Sequence, residues 1–195
     1  MERRRINPTG TLSKVYFEQM YSKDKDPWKF ETSEYERLKY DNTIQNIPEG
    51  NYASGLEIGC SIGVLTAMLP NKCKSLIAID ISTAAIDVAK ERLGKNANVE
   101  FRTAAIPQDY PEGQFDLIIM SEVGYYLSLD DLIKSRERIF KSLNKGGVLV
   151  LVHWIHFVAD YPLNGDQVHE CFLESDLKHL HGYRESDYRL DVFQK

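Results

Sequence analysis

Short apolar runs alternate with stretches of helical periodicity along most of the chain. Residues 54–58 form a first run and Ser75-Leu76-Ile77-Ala78-Ile79-Asp80 a second, with the acids Glu57 and Asp80 at their ends. Residues 99–102 make a short third run, Phe115-Asp116-Leu117-Ile118-Ile119-Met120-Ser121 a fourth, and residues 148–154 a fifth. Runs this short and this apolar predict strands covered on both faces. A helix is predicted from Val64 to the residue before Pro70. Another is capped by Ser82, buries Ala85, Ile86, Ala89 and Leu93, and stops at Gly94. A third presents Leu132, Ile133, Arg136, Phe140 and Leu143 and is ended by Gly146-Gly147. A helix over 166–180 and a terminal strand over 188–193 complete the pattern.

Strand and helix in this alternation predict an α/β fold, a Rossmann-like doubly wound sheet. The sheet is mostly parallel with an antiparallel C-terminal strand, and helices lie on both faces. Ligands bind such sheets outside the carboxyl ends of the strands. Those ends carry Glu57, Asp80, Ala105 with Ile106, Ser121 with Glu122, and His153 with Trp154.

Residues 1–195 read as a single domain, with a core over 51–195 and a helical cap or lid over 1–50. In that first segment aromatics alternate with charge: Tyr16-Phe17, Tyr21, Asp26-Pro27-Trp28-Lys29-Phe30, Tyr35 and Tyr40. Asp-Pro predicts a turn near Trp28. Ser33 and Glu36 fit a capping box opening a helix over 33–45, with Tyr35, Leu38 and Asn42 on one side. These aromatics either plug one end of the sheet or roof a ligand, with Trp28 and Tyr21 closing over it.

Composition narrows the function classes. A formal net charge of −5 argues against a phosphate-neutralising surface, so nucleic acid is not an expected partner. Three arginines follow Glu2, but no apolar run long enough for a signal peptide or membrane span comes after them, and a cytoplasmic protein is expected. Cys60, Cys73 and Cys171 form no Cys-x-x-Cys pair and the histidines no helical His-x-x-x-His, so no metal site is expected. Oligomeric state is not readable from the sequence.

The turn Glu57-Ile58-Gly59-Cys60-Ser61-Ile62-Gly63 carries the candidate chemistry. Its glycines suit a strand turning sharply toward a helix whose N-terminal N–H groups face a ligand. The glycine spacing is not the Gly-x-Gly-x-x-Gly of dinucleotide sites, which disfavours an NAD-dependent oxidoreductase. The motif resembles the first motif of class I S-adenosylmethionine-dependent methyltransferases, with Ser61 in place of a common glycine. The resemblance implies that Asp80 holds the cofactor ribose and that backbone at Gly59 and Ser121 faces the methionyl end. It also implies that Ile81, Ala105 and Ile106 flank adenine, although many relatives carry aspartate where Ala105 stands. Glu57, Cys60, Ser61, Gly63 and Trp28 complete the implied binding set.

A narrower resemblance covers nearly the whole chain. Asp26-Pro27-Trp28 with Ser33-x-Tyr35-Glu36, Ser121-Glu122-Val123-x-Tyr125-Tyr126-Leu127, and Asp160-Tyr161-Pro162-Leu163-x-Gly165-Asp166 are similar to the nodulation protein S methyltransferases. That resemblance implies N-methylation of the glucosamine end of a deacetylated chitooligosaccharide, leaving S-adenosylhomocysteine. Glu122, Tyr125 and His153 are the expected acceptor-side residues: Glu122 either caps locally or takes the acceptor's proton, His153 serves as base or makes a structural hydrogen bond, and Tyr125 packs or lies against cofactor or sugar. Another small metabolite as N- or O-acceptor, and a non-catalytic adenosyl-cofactor-binding protein, are the alternatives.

Overall fold

The computed structural model describes residues 9–94 and 98–195; the arginine run at the start lies outside them. The helices are α1 (Lys14–Lys23), α2 (Glu34–Asn46), α3 (Thr83–Leu93), α4 (Leu129–Ser142) and α5 (Gly165–Leu173). The strands are β1 (Tyr52–Ile58), β2 (Cys73–Asp80), β3 (Val99–Thr103), β4 (Phe115–Ser121), β5 (Leu143–Trp154), β6 (Lys178–Arg184) and β7 (Tyr188–Gln194). They form one sheet in the order β3-β2-β1-β4-β5-β7-β6. β1 to β5 pair in parallel, and β7 runs antiparallel to both of its neighbours. Among the described residues no helix is long and apolar enough to cross a membrane.

Alternation of side chains explains the continuous apolar runs. From β4, Ile118 and Met120 join Leu149, Leu151 and Phe172 in one layer. Leu117 and Ile119 enter the other, with Val148, Val150 and Val152 of β5 and with Tyr40 and Ile47 of the α2 segment. Both layers are dry, so both faces must be apolar.

Five local expectations are corrected. Between β1 and β2 the chain forms only a 3₁₀ segment, Thr66–Asn71, with Pro70 inside it. A proline this close to the turn leaves too few residues for an α-helix, so no helix dipole lies over the glycine turn. The Gly146-Gly147 pair lies within β5, not at the end of α4, because the β4–β5 register shifts between Phe115 and Leu117 and Gly146 adopts φ +80 there. α5 stops at Leu173, and β6 takes the residues beyond; nearly all of β6 is solvent-exposed, so it has little apolar pattern to read. Leu93 is only half-buried, and α4 buries Leu132, Ser135, Ile139 and Ser142.

The amino-terminal helices are part of this architecture. Ser33 caps α2 by accepting the Glu36 N–H at 3.3 Å, but the Glu36 side chain turns inward and does not complete the box. Leu38 is 54% exposed, while Glu36, Lys39, Tyr40 and Thr43 are buried. α1 docks on α3 through Glu18, which accepts Thr83 N–H at 2.7 Å and the Ser82 hydroxyl at 3.0 Å. Glu18→Ala is therefore expected to lower stability by about 1 kcal/mol, the usual worth of a helix cap, read as a shift of the urea midpoint at constant slope.

Candidate active site

At the carboxyl ends of β1, β2 and β4, roofed by α1 and the turn after it, lies a cavity of about 630 Å³. One end is built on Asp80. Its carboxylate accepts Ser82 N–H at 2.8 Å and Ser61 N–H at 2.9 Å. Burial pushes the Asp80 pKa up to about 6, with those two backbone donors opposing. Ser61 holds φ +48 and its hydroxyl shares a 2.5 Å hydrogen bond with the Tyr21 hydroxyl. Trp28 stacks on Phe30 at 5.6 Å and meets Tyr21 edge-on, so the three aromatics form a continuous roof. The turn expected near Trp28 is present: Asp26 accepts Phe30 N–H at 2.8 Å.

Gly59, at φ +84, lies in the floor. An added Cβ there would fall 2.0 Å from Val123 Cγ2 and 3.3 Å from Ser121 O, so only glycine lets Val123 pack against this turn. Ile81, Ala105, Ile106 and Ser121 also line it. Gln108 joins this lining, a residue the sequence reading passed over because it sits in an unpatterned loop.

The other end is a buried charge cluster. Lys39 Nζ, 2% exposed, lies 2.7 Å from Glu122 Oε1 and 2.9 Å from Glu36 Oε2. Burial works against the lysine charge, but Glu122 and Glu36 outweigh it and raise its pKa above the ordinary value. Burial raises the Glu36 pKa against the pull of Lys39. Glu122 Oε2 accepts the Tyr125 hydroxyl at 2.5 Å and Trp154 N–H at 3.0 Å, and its backbone holds φ +58. Tyr125 stacks on Tyr161 at 5.3 Å, and burial followed by the Glu122 charge keeps its hydroxyl protonated. The Tyr35 hydroxyl is buried without a hydrogen-bond partner among the described residues. Lys39 and Glu36 were missed by pattern reading, which places charges on the solvent side of a helix.

Several expected residues stand elsewhere. Glu57 is 1% exposed and faces a separate void of about 20 Å³ beneath the turn. Cys60 packs its thiol side with Ala78 and Ile86, and its N–H donates to Ile79 O at 2.9 Å. Gly63 lets the turn press on α3, where a Cβ would lie 3.0 Å from that of Ala89. His153 is fully buried outside the cavity lining, and its Nε2 accepts Gly124 N–H at 3.0 Å. With that nitrogen engaged and burial lowering its pKa, His153 has no geometry for a base at the acceptor.

Burial pushes the Glu57 pKa up to about 7, with Thr66 opposing it. The native state then holds more protons than the unfolded chain between about pH 4.5 and 7, so stability falls as pH rises through that window. Glu57→Gln escapes this cost. Its melting temperature is expected to exceed that of the native protein at pH 8, the gap closing toward pH 4.5 in parallel thermal scans.

Comparison with known proteins places this geometry. The family model described as nodulation protein S (NodS) matches residues 15–151. Nodulation protein S of Bradyrhizobium diazoefficiens is 37% identical over 103 residues, covering 52% of this chain and 49% of that protein. The Rhizobium tropici protein of the same name is 32% identical over 127 residues, covering 64% and 53%. The chain thus spans about half the length of these curated relatives. Among solved structures, the N-methyltransferase NodS from Bradyrhizobium japonicum WM9 in complex with S-adenosyl-l-homocysteine superposes with a TM-score of 0.84 at 26% identity, covering 93% of this chain and 97% of that one.

Proposed function

This chain belongs to the nodulation protein S family, and on that premise we propose that it is an S-adenosylmethionine-dependent N-methyltransferase acting on the amine of an amino sugar, with a deacetylated chitooligosaccharide as the leading acceptor. The observation that carries the reading is that one cavity joins the Asp80 end to the Lys39 and Glu122 cluster. A cofactor seat and an acceptor seat must adjoin in this way if a group is to pass directly between them.

The residues fit the adenosyl cofactor. A carboxylate already oriented by two N–H donors can accept hydrogen bonds from both hydroxyls of a ribose, which is the role assigned to Asp80. The backbone of Gly59 and Ser121, both in the cavity lining, suits the methionyl end, and the apolar walls Ile81 and Ile106 suit adenine. Trp28 and Tyr21 exclude water above it. When bound, S-adenosylmethionine supplies a methyl group on a sulfonium, an intrinsically good leaving group.

The chain's task is then to position a neutral amine. Glu36 and Glu122 around one Lys39 leave the acceptor side with a net negative charge, which attracts an ammonium. Glu36, whose pKa burial raises, is suited to receive the proton that the amine sheds before it attacks. The unpartnered Tyr35 hydroxyl and the Tyr125–Tyr161 stack offer a hydrogen bond and a face for a sugar ring.

Calorimetry should record S-adenosylhomocysteine binding to the native protein and an affinity about 10- to 100-fold weaker for Asp80→Ala, the worth of one or two charged hydrogen bonds. Unchanged affinity would show that Asp80 does not hold the ribose, and binding of NAD instead would overturn the cofactor. With purified protein and labelled S-adenosylmethionine, glucosamine-terminated oligomers are expected to be methylated at nitrogen in preference to unrelated amines and to N-acetylated controls. A preference for some other acceptor would retire the amino sugar while leaving the cofactor assignment standing.

A further inference from the structure

Behind the acceptor side runs a line of buried groups with no part in the chemistry above. His153 Nε2 accepts the Gly124 N–H at 3.0 Å, His153 Nδ1 lies 3.1 Å from His169 Nε2, and His169 Nδ1 lies 2.6 Å from Asp191 Oδ2. His153, His169 and Asp191 are each at most 2% exposed. The far end reaches the edge of the sheet, where His179 Nε2 is 2.7 Å from Asp191 Oδ1 and Arg189 Nε donates to Oδ2 at 2.7 Å.

The first of these bonds dictates every proton position. A backbone N–H can only donate, so His153 Nε2 must be bare and its ring proton sits on Nδ1. That proton faces His169 Nε2, which must be bare in turn. His169 therefore carries its own proton on Nδ1 and gives it to Asp191. One added proton on either ring sets two donors face to face, between the rings or against Gly124.

We propose that His153, His169 and Asp191 are positioning residues that fix the 3₁₀ turn Gly124–Tyr126 and, through it, the Glu122 and Tyr125 side of the acceptor site. The proposal rests on the acceptor reading given above. The turn is pressed against the relay: a Cβ on Gly124 would stand 2.4 Å from Val168 Cγ1 and 3.1 Å from His153 Nε2. It is also a junction, since Tyr125 O accepts Leu163 N–H at 3.2 Å and Tyr126 O accepts Leu12 N–H at 2.9 Å. Glu122, two residues before Gly124, holds a positive φ that persists only while its surroundings enforce it.

Charged groups face the relay from each side. Lys39 of α2, with burial and His169, disfavours charge on His153, while Glu122 and the Tyr125 hydroxyl stand on the cavity side. From α5, Asp166 and Glu170 pair with Arg189 of β7, and His179 of β6 shares Asp191. Burial outweighs Asp191 at His169, so both rings are neutral at neutral pH and the relay loosens only on acidification.

The test compares the native protein with His153→Gln, whose amide oxygen can accept the Gly124 N–H, and His153→Leu, which accepts nothing. Amide hydrogen exchange at Gly124–Tyr126, acceptor KM and kcat against pH, and S-adenosylhomocysteine affinity are measured for each. His153→Leu is expected to speed exchange at the turn and raise acceptor KM, each by about tenfold, the worth of one buried hydrogen bond, with cofactor affinity within about twofold. His153→Gln should restore both and lose the fall in protection factor at the turn that is expected of the native protein on acidification. Native-like exchange and KM in His153→Leu overturns the proposal, as does a glutamine variant no better than leucine, or a parallel fall in cofactor affinity. If the leucine variant does not fold, His169→Phe breaks the next link and is judged by the same outcomes. If no variant and no native protein methylates an amine, the proposed function fails, and the exchange data alone still decide this inference.

Discussion

A lysine ammonium buried to 2% exposure between two carboxylates is the constraint on which the functional half of the molecule depends. Lys39 fixes where α2 sits, because a charge taken out of water is tolerable only against its partners. Glu122 in turn reads out the ends of two strands: it follows β4 directly and accepts the N–H of Trp154 at the end of β5. Breaking such a buried pair by removing one member strands the other, a loss on the order of 3–5 kcal/mol. The pairs on the outer side of α2, such as Arg37 with Glu34, carry no such consequence, since water already solvates them.

The two acids at the ends of β1 and β2 show how one residue type is put to two uses by direction alone. Asp80 meets the cavity with its charge held by backbone donors. Glu57 lies beneath the turn, with Oε2 unpartnered among the described residues. A buried carboxylate of this kind costs stability once ionised.

Much of the sheet was legible because doubly covered strands leave little that is polar in the run; β4 has the bounds of its stretch, Phe115–Ser121. The edge strand β6 was not, for the opposite reason, since exposed strands carry no such signature. Asp80, Gly59, Ser61 and Ser121, which line the cavity, stood out as strand ends and as the glycine turn, with cofactor roles that only the family resemblance suggested. Lys39 and Glu36 were hidden because helix reading assigns charge to solvent. His153 shows a further limit: the end of a strand says that a side chain is near the site, but not which way it faces. Only Gly124, across a loop and pressed on the ring, decides that.

The short 3₁₀ connection between β1 and β2 has a consequence for how the chain is made. With no helix of its own there, that face of the sheet is closed by α2, whose Asn42 donates to the Tyr188 hydroxyl at 2.7 Å across 146 residues of sequence. During synthesis α2 leaves the ribosome before the sheet, yet the surface it must cover is completed only by β7, far along the chain. Until then its aromatics have no native partner on that strand, and loop closure over such a separation is slow. The helix that carries Lys39 and Glu36 to the cavity is thus born early and docked late, and the growing chain must keep it from other company in the interval.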